Sequence, residues 1–502
     1  MLDYDILKSI TIPQFLRQIA EAYGAKTAFY CFRNEKWETQ TFAELKDSAE
    51  AVARGLLAEK LQKNCKIALL GENSPVWCQA YLGILTMGGS VVPLDPQLKS
   101  AELTNVLAHS GAEAILVSAK FADSILDLIR SGLEIKKVVV LDDDTPRSGT
   151  VGLTGLKERG KNWEDKLPAV SNLDLATIIY TSGTTGNSKG VMLTHKNILS
   201  DIWSIHQRVR LNPDDRFLSV MPLHHTFECT CGFLFPLSTG AGVIYSRSLK
   251  SKELVEDISS LKATLILAVP LLFEKMWLGL TKGISGKSRL ARLYFKFGYG
   301  TARILPKLAR YGWGRGYFSG LRAKAGLGSL RLIVCGGAAT PPDLAKNFDC
   351  LGIKYLQGYG LTETSPVLTV NPENGYRYSS IGKPLRGVEL KIGEPGPHGI
   401  GEILAKGDMV MSGYYRNPAE TAKVLKDGWL HTGDAGWRDE QGYFYISGRI
   451  KNVIVTPNGK NIYPEEIETE LVKSPFIAEA LVLGKHTSGG EEVHAVIVPD
   501  YE

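Results

Sequence analysis

The chain lacks a disulfide framework. Its seven cysteines in 502 residues (Cys31, Cys65, Cys78, Cys229, Cys231, Cys335 and Cys350) are odd in number and widely spaced, with no C-x-x-C pair. That pattern points to free thiols in a reducing compartment, and a cytoplasmic protein is expected. A secretory signal is not expected either, because MLDYDILKSITIPQF has no basic segment followed by an apolar one. Long hydrophobic runs are scarce. The longest uncharged stretch, Asn73 to Leu94, exceeds the ~20 residues that span a bilayer. It is broken by Pro75, Gln79, Gly88, Gly89, Ser90 and Pro93. It reads as a buried helix over Trp77–Thr86, a Gly-Gly turn and a strand over Ser90–Leu94. Strong net charge is also missing: 58 Lys+Arg against 53 Asp+Glu leave +5. No repeat of fixed period occurs. Hydrophobic residues at 44% and charged residues at 22% are ordinary for a globular protein and exclude a collagenous or disordered chain.

Glycine, by contrast, is plentiful, at 52 of 502 residues against an average of about 7%. In a soluble protein this hints at ligands held by backbone. At about 150 residues per domain, the length implies more than one domain.

Short apolar runs recur at Lys66–Leu70, Ala114–Val117, Lys137–Leu141, Ala176–Tyr180, Gly242–Tyr245, Leu265–Val269 and Arg331–Cys335. Stretches of helical period, such as Pro13–Tyr23, Thr41–Leu57 and Lys252–Leu261, lie between them. Strands alternating with helices predict an α/β protein with largely parallel sheets. Asp142 to Val170 is polar and reads as a connecting segment. From about residue 380 the texture changes to short alternating strands, Val388–Ile392, Glu402–Ala405 and Tyr443–Ser447, separated by Gly/Pro turns. These predict a small antiparallel sheet or barrel. Past Gly448 a further unit is expected, with a helix over Pro464–Val472 and a strand over Glu479–Leu483.

The strongest local signal is YTSGTTGNSKGV, Tyr180 to Val191, after an apolar strand and before a helix that starts near Thr194. Gly183, Gly186 and Gly190 permit a tight turn with inward backbone N–H groups. Thr181, Ser182, Thr184, Thr185 and Ser188 add hydroxyls, and Lys189 adds a charge. Such a loop suits nucleotide phosphates. A Walker A loop is excluded, because Ser188 precedes the lysine and Gly190 follows it.

TSGTTGNSKGV resembles the signature loop of the adenylate-forming superfamily: acyl-CoA synthetases, nonribosomal peptide adenylation domains and firefly-type luciferases. Further motifs follow in the family's order. Gly358–Thr364 (GYGLTET) after Gln357 is similar to the adenine and magnesium motif. Tyr359 offers a flat face to a purine, Thr362 a hydroxyl, and Glu363 a hard oxygen for Mg²⁺. With Thr181, Glu363 is the metal position that the resemblance implies. Gly360 completes that motif. Gly336, Gly337 and Ala338 are implied to line the adenine and acyl pocket. Trp429–Asp434 (WLHTGD) resembles the ribose motif, with Asp434 accepting ribose hydroxyls. Arg449 is implied to contact the nucleotide, and Lys451 to be the hinge. Leu223–Glu228 (LHHTFE) is most like long-chain and medium-chain fatty acyl-CoA ligases, with His225 meeting the carboxylate. Phe227–Leu237 reads equally as the lining of an acyl tunnel or as a core helix. Cys229 and Cys231 with His224 and His225 admit a zinc reading, but buried thiols are the plainer one.

The resemblance implies a large N-terminal domain, residues 1–448. It would hold two parallel α/β subdomains plus a small distorted β-barrel at about 380–448. A truncated small α+β C-terminal domain, 449–502, would follow. The implied activity joins a long-chain fatty acid to coenzyme A through an acyl-adenylate, with ATP and Mg²⁺. Lys189, His225, Thr362 and Glu363 would carry the chemistry. A fatty acyl-AMP ligase serving a carrier protein is the alternative, and an impaired ATP- and acyl-binding module is another. The family's second catalytic lysine belongs near the end of the small domain. Lys460, Lys473 and Lys485 lack its context, so impaired adenylation is expected of these residues.

Finally, Lys282 to Lys324 holds eleven cations and no acid, interleaved with aromatics such as Tyr294, Phe297 and Trp313. Basic residues mixed with aromatics suit peripheral contact with an anionic membrane, at its inner face. A solvated helical face is the alternative. Nucleic acid is not an expected partner of a ligase.

Overall fold

The computed structural model describes residues 4–181, 188–372, 375–396, 399–455, 461–474, 476–487 and 490–500. Two large sheets dominate. In chain positions, the nine-stranded sheet runs Lys383–Pro384, Val367–Val370, Lys354–Gly360, Leu332–Cys335, Leu265–Ala268, Arg216–Ser219, Gly242–Tyr245, Thr27–Arg33 and Lys36–Thr41. From Lys354–Gly360 to Thr27–Arg33 all neighbours are parallel. The eight-stranded sheet runs Gly413–Tyr414, Lys189–Thr194, Leu175–Thr181, Ser90–Leu94, Lys66–Leu70, Ala114–Val117, Lys137–Val140 and Thr150–Gly152. Its inner parallel strands read as continuous apolar runs, the pattern of a sheet buried on both faces. Ser90–Leu94 and Ala114–Val117 are buried at every position.

A five-stranded antiparallel sheet forms an open half-barrel from Glu389–Gly393, Gly401–Lys406, Trp429–Arg438, Leu425–Lys426 and Phe444–Arg449. Beyond it lie the helix Pro464–Leu471 and the hairpin Ile477–Thr487/Gly490–Pro499. The expected α/β class with two parallel sheets and an antiparallel appendage is what the chain adopts.

Helix starts follow side-chain chemistry. Thr11, Thr41 and Thr194 each accept a hydrogen bond from the third helical N–H, and Gln14, Glu44 and Asn197 bond back to the cap. Ser74 caps the almost wholly buried helix Pro75–Thr86. Among the described residues no helix is long and apolar enough to cross a membrane.

Two readings need correction. The polar segment 142–170 is more than a connection: it contains the strand Thr150–Gly152 and the helix Leu153–Lys161. That helix buries Leu153, Leu156 and Gly160 against Phe42–Ala58. The contact is intimate because Gly55 faces the Leu156 carbonyl, and a Cβ there would lie 2.3 Å from it. In the basic stretch, Arg310 and Arg322 are internal. Arg310 donates to the Ala302 and Leu305 carbonyls (2.9 and 2.8 Å), and Arg322 to those of Leu351 and Gly314 (2.6 and 2.9 Å). They cap helix ends rather than facing solvent.

Candidate active site

The parallel strands of the nine-stranded sheet end together. At the carboxyl ends of Arg216–Ser219, Leu265–Ala268, Leu332–Cys335 and Lys354–Gly360, the chain opens a cavity of about 340 Å³. Ligands of open α/β sheets bind at this edge. Met221, Val269, Gly336, Gly337 and Gly358–Thr362 line the cavity, with His225–Glu228 across from them. Seven predicted residues thus meet here: His225, Gly336, Gly337, Gly358, Tyr359, Gly360 and Thr362. Gly336 brings the backbone against the Phe227 ring, to which an added Cβ would come within 2.9 Å.

Phe227–Leu234 is a π-helix, continued by the short α-helix Phe235–Ser238. Such wide turns are frequent at functional sites. The stretch is core, and Phe227, Glu228, Cys231 and Phe235 also line the cavity. Cys229 and Cys231 are buried, and burial pushes the Cys229 thiol up to about 12. A thiol held protonated is a poor zinc ligand, and among the described residues no metal-binding group of His, Cys, Asp and Glu occurs.

His225 is exposed at the mouth, its ring 4.2 Å from that of His224. Partial desolvation lowers its pKa, and Asp95 opposes the shift. His224 is driven further, to about 4, by burial and by His225. Both rings are therefore neutral at pH 7.

A second group lies beside the cavity. The Tyr359 hydroxyl donates to Asp434 Oδ2 at 2.6 Å, and Arg449 Nε stands 3.0 Å from Asp434 Oδ1. Burial raises the Asp434 pKa, while the Tyr359 hydroxyl and Arg449 pull it back. Three residues predicted from separate motifs therefore form one bonded cluster. Lys451 follows on the exposed turn Ile450–Asn452. Glu465 ties that turn to the next helix by accepting from Asn452 Nδ2 at 3.0 Å.

A third group gathers around Tyr414. This tyrosine sits on Gly413–Tyr414, which pairs with Lys189–Thr194. Its hydroxyl donates to Glu363 Oε1 at 2.8 Å, and Lys189 Nζ lies 5.2 Å from its ring centroid. Lys189 also pairs with Glu420 at 2.5 Å, which holds the Glu420 carboxyl down at about 2. Thr181 faces Lys189 across the strand pair. Ser182, Gly183, Thr184, Thr185 and Gly186 lie outside the described residues. Gln357 is buried, and its side-chain carbonyl has no partner among the described residues. Ala338 is exposed, outside the cavity wall.

Tyr414, Glu420 and Glu228 escaped the reading of the sequence. Asn417-Pro-Ala-Glu420 carries a helix-start signal, with Asn417 accepting from the Glu420 N–H. It says nothing of Lys189.

A family profile described as AMP-binding enzyme matches residues 16–415. The long-chain-fatty-acid–CoA ligase ACSBG2 of Rattus norvegicus is 30% identical over 515 residues, spanning 95% of this chain and 75% of its own. A feruloyl-CoA synthase of an Amycolatopsis species is 31% identical over 469 residues, 91% of this chain and 83% of its own. The crystal structure of ATP-bound MatB from Rhodopseudomonas palustris superposes with a TM-score of 0.78 at 26% identity, covering 98% of this chain and 89% of that one. The chain belongs to the AMP-binding enzyme family, the adenylate-forming ligases that join acids to thiols.

Proposed function

We propose that this protein activates a long-chain fatty acid as its adenylate and transfers the acyl group to coenzyme A. The carrying observation is the cavity at the strand ends. Its wall of Phe227, Phe235, Leu267, Val334, Val367 and Val370 is apolar, while His225 and the Gly358–Thr362 segment stand at one side. An alkyl chain finds a dry wall there and its carboxylate a polar end.

In this reading a carboxylate oxygen bonds to the α-phosphorus of ATP, the bond to the β-phosphate breaks, and pyrophosphate leaves. The coenzyme A sulfur then bonds to the acyl carbon, AMP departs, and the thiol proton goes to solvent. An anion must approach a polyanion, so charge management sets the rate. Lys189 and the loop N–H groups of 181–186 neutralise the phosphates. Tyr359 presents its ring to adenine, Gln357 offers its unpartnered carbonyl, and Asp434 with Arg449 holds the ribose. Neutral His225 donates to or steers the carboxylate without adding charge. Glu363 and Thr181 supply hard oxygens that fit Mg²⁺, which takes one or two carboxylates and completes its shell with substrate phosphates and water. Bound there, Mg²⁺ would screen the phosphate charge. The 449–502 unit turns about Lys451 between the two steps, relative to the 1–448 domain.

The test is product analysis with ATP, Mg²⁺, palmitate and coenzyme A, with ferulate in a parallel reaction. Palmitoyl-CoA with AMP is expected. Stalled palmitoyl-AMP would favour the carrier-protein alternative. Turnover of ferulate alone would overturn the long-chain reading, and binding without AMP release would indicate the module without turnover.

One observation favours membrane contact as well. On the helix Arg289–Ile304, Leu290, Leu293, Phe297 and Ile304 are 79, 53, 66 and 83% exposed, next to exposed Arg289, Arg292 and Lys296. Exposed apolar residues among cations suit an anionic bilayer surface. Anionic vesicles should sediment the protein at low salt, and L290D/F297D should abolish this. Equal sedimentation of the variant would refute the contact.

A further inference from the structure

A second cavity of about 910 Å³ lies among the helices Ser251–Ser260, Pro270–Ser285, Arg289–Ile304 and Ser319–Lys324. It shares no lining residue with the cavity at the strand ends. Its size falls in the range of about 300–1,000 Å³ typical of small-molecule sites. Val255, Met276, Leu280, Ile284, Phe295 and Leu321 supply an apolar wall. Lys252, Lys275, Lys287 and Lys324 stand around it, all exposed, and none pairs with a carboxylate among the described residues. The one acid in the wall, Glu256, is paired with Arg247 at 2.9 Å. The charge around the opening is therefore positive.

Glycine keeps the lumen open. Gly279 and Gly283, one turn apart on Pro270–Ser285, and Gly320 on Ser319–Lys324 all face the cavity. Glycine is unfavourable inside a helix and usually earns its place through close packing. Here an added Cβ would meet nothing within 4 Å at any of the three. No neighbour requires them, and side chains there would fill the space.

We propose that this cavity binds a long-chain carboxylate, with the alkyl chain along the apolar wall and the anionic head among the lysines, as a site separate from the reaction cavity. Apolar walls ringed by unpaired cations match a free single-chain anionic amphiphile. The proposal goes beyond the reaction assigned above and would hold whichever acid is turned over.

The full chain is titrated with palmitate by calorimetry in the absence of ATP. Two classes of site are expected. G279L/G283L, which improves helix propensity while filling the lumen, should lose one class or weaken it at least about tenfold. The surface variant K287E/K324E should weaken palmitate at that class by about tenfold and leave 1-hexadecanol nearly unchanged. Neutral phosphatidylcholine vesicles should not compete. Palmitate binding left unaltered in both variants, whether the wild type shows one class or two, overturns the proposal. Competition by the vesicles would give the cavity to membrane lipid and likewise overturn it. Pyrophosphate release is measured on the same proteins. Its absence throughout, with the site count still falling in G279L/G283L, would refute the reaction reading and leave this one standing.

Discussion

Lys189 Nζ lies 2.5 Å from Glu420 Oε2, although 231 positions separate the two residues. The lysine expected to meet nucleotide phosphates is thus held by a carboxylate. In the proposed reaction, phosphate displaces that carboxylate.

Glu420→Gln should therefore tighten MgATP binding. Exposed ion pairs are weak, so the gain is at most a few-fold, and smaller at high salt. Lys189→Met should slow pyrophosphate release by about 10²–10³, the usual loss when one charge-stabilising donor is removed. Calorimetric ATP titration and a pyrophosphate assay read the two effects. Weaker ATP binding by Glu420→Gln would mean that the carboxylate positions Lys189 rather than competing for it.

The Asp434 cluster makes a sharper prediction about the nucleotide. A lost hydrogen bond to a charged group costs about 1.5–3 kcal/mol, so Asp434→Ala should raise the KM for ATP roughly ten- to a hundredfold. Tyr359→Phe keeps the ring and should change it little. With 2′,3′-dideoxy-ATP as substrate, the penalty of Asp434→Ala should disappear. An equal penalty with the dideoxy nucleotide would remove the ribose role.

How much of this was legible follows from burial. Parallel strands covered on both faces are continuous apolar runs, so Ala114–Val117 or Leu265–Ala268 stands out in any reading. The motif residues were legible too, since Tyr359, Asp434 and Arg449 lie in recognisable segments. Their mutual bonding was not, because it depends on the half-barrel sheet setting Arg449 opposite Asp434. Tyr414 was hidden for the same reason: it reaches Glu363 by adding a two-residue strand to Lys189–Thr194. Arg310 and Arg322 misled by composition. A run of cations reads as surface, yet carbonyls at helix ends drew two of them inside.

The helix Leu153–Lys161 misled in the opposite sense, since a mostly polar helix buries a narrow face. Its close approach to Phe42–Ala58 can be tested at Gly55. A Cβ there would meet the Leu156 carbonyl oxygen at 2.3 Å and Leu156 Cγ at 2.7 Å. Gly55→Ala should cost about 1–3 kcal/mol by overpacking. Gly155→Ala, on the helix face where the nearest atom is 3.7 Å away, should be neutral or stabilising by up to about 1 kcal/mol. Urea unfolding of both proteins checks the contrast, and equal midpoints would contradict the packing.

Glu228 carries the last prediction. It is fully buried on the π-helix in the cavity wall, and neither oxygen makes a well-formed hydrogen bond among the described residues. Burial raises its pKa to about 8, which the Ser219 hydroxyl and the Met221 backbone only partly offset. A carboxyl kept neutral near pH 7 tolerates an alkyl chain against it. The unfolded chain releases this proton near the ordinary value of 4.5, whereas the folded chain keeps it to about 8. Between those values the native state binds more protons, so stability falls as pH rises, by an amount on the order of 4 kcal/mol across the window. Glu228→Gln removes the ionisation while keeping the shape. Its urea midpoint should match wild type near pH 5 and exceed it increasingly toward pH 8. Buried His195 and His206, with pKa values lowered to about 4 and about 3, destabilise the fold as pH falls below 6.5, and both proteins share that limb. Parallel midpoint curves for the two proteins from pH 5 to 8 would show that Glu228 is ionised in the fold, and with it that the cavity wall is wet.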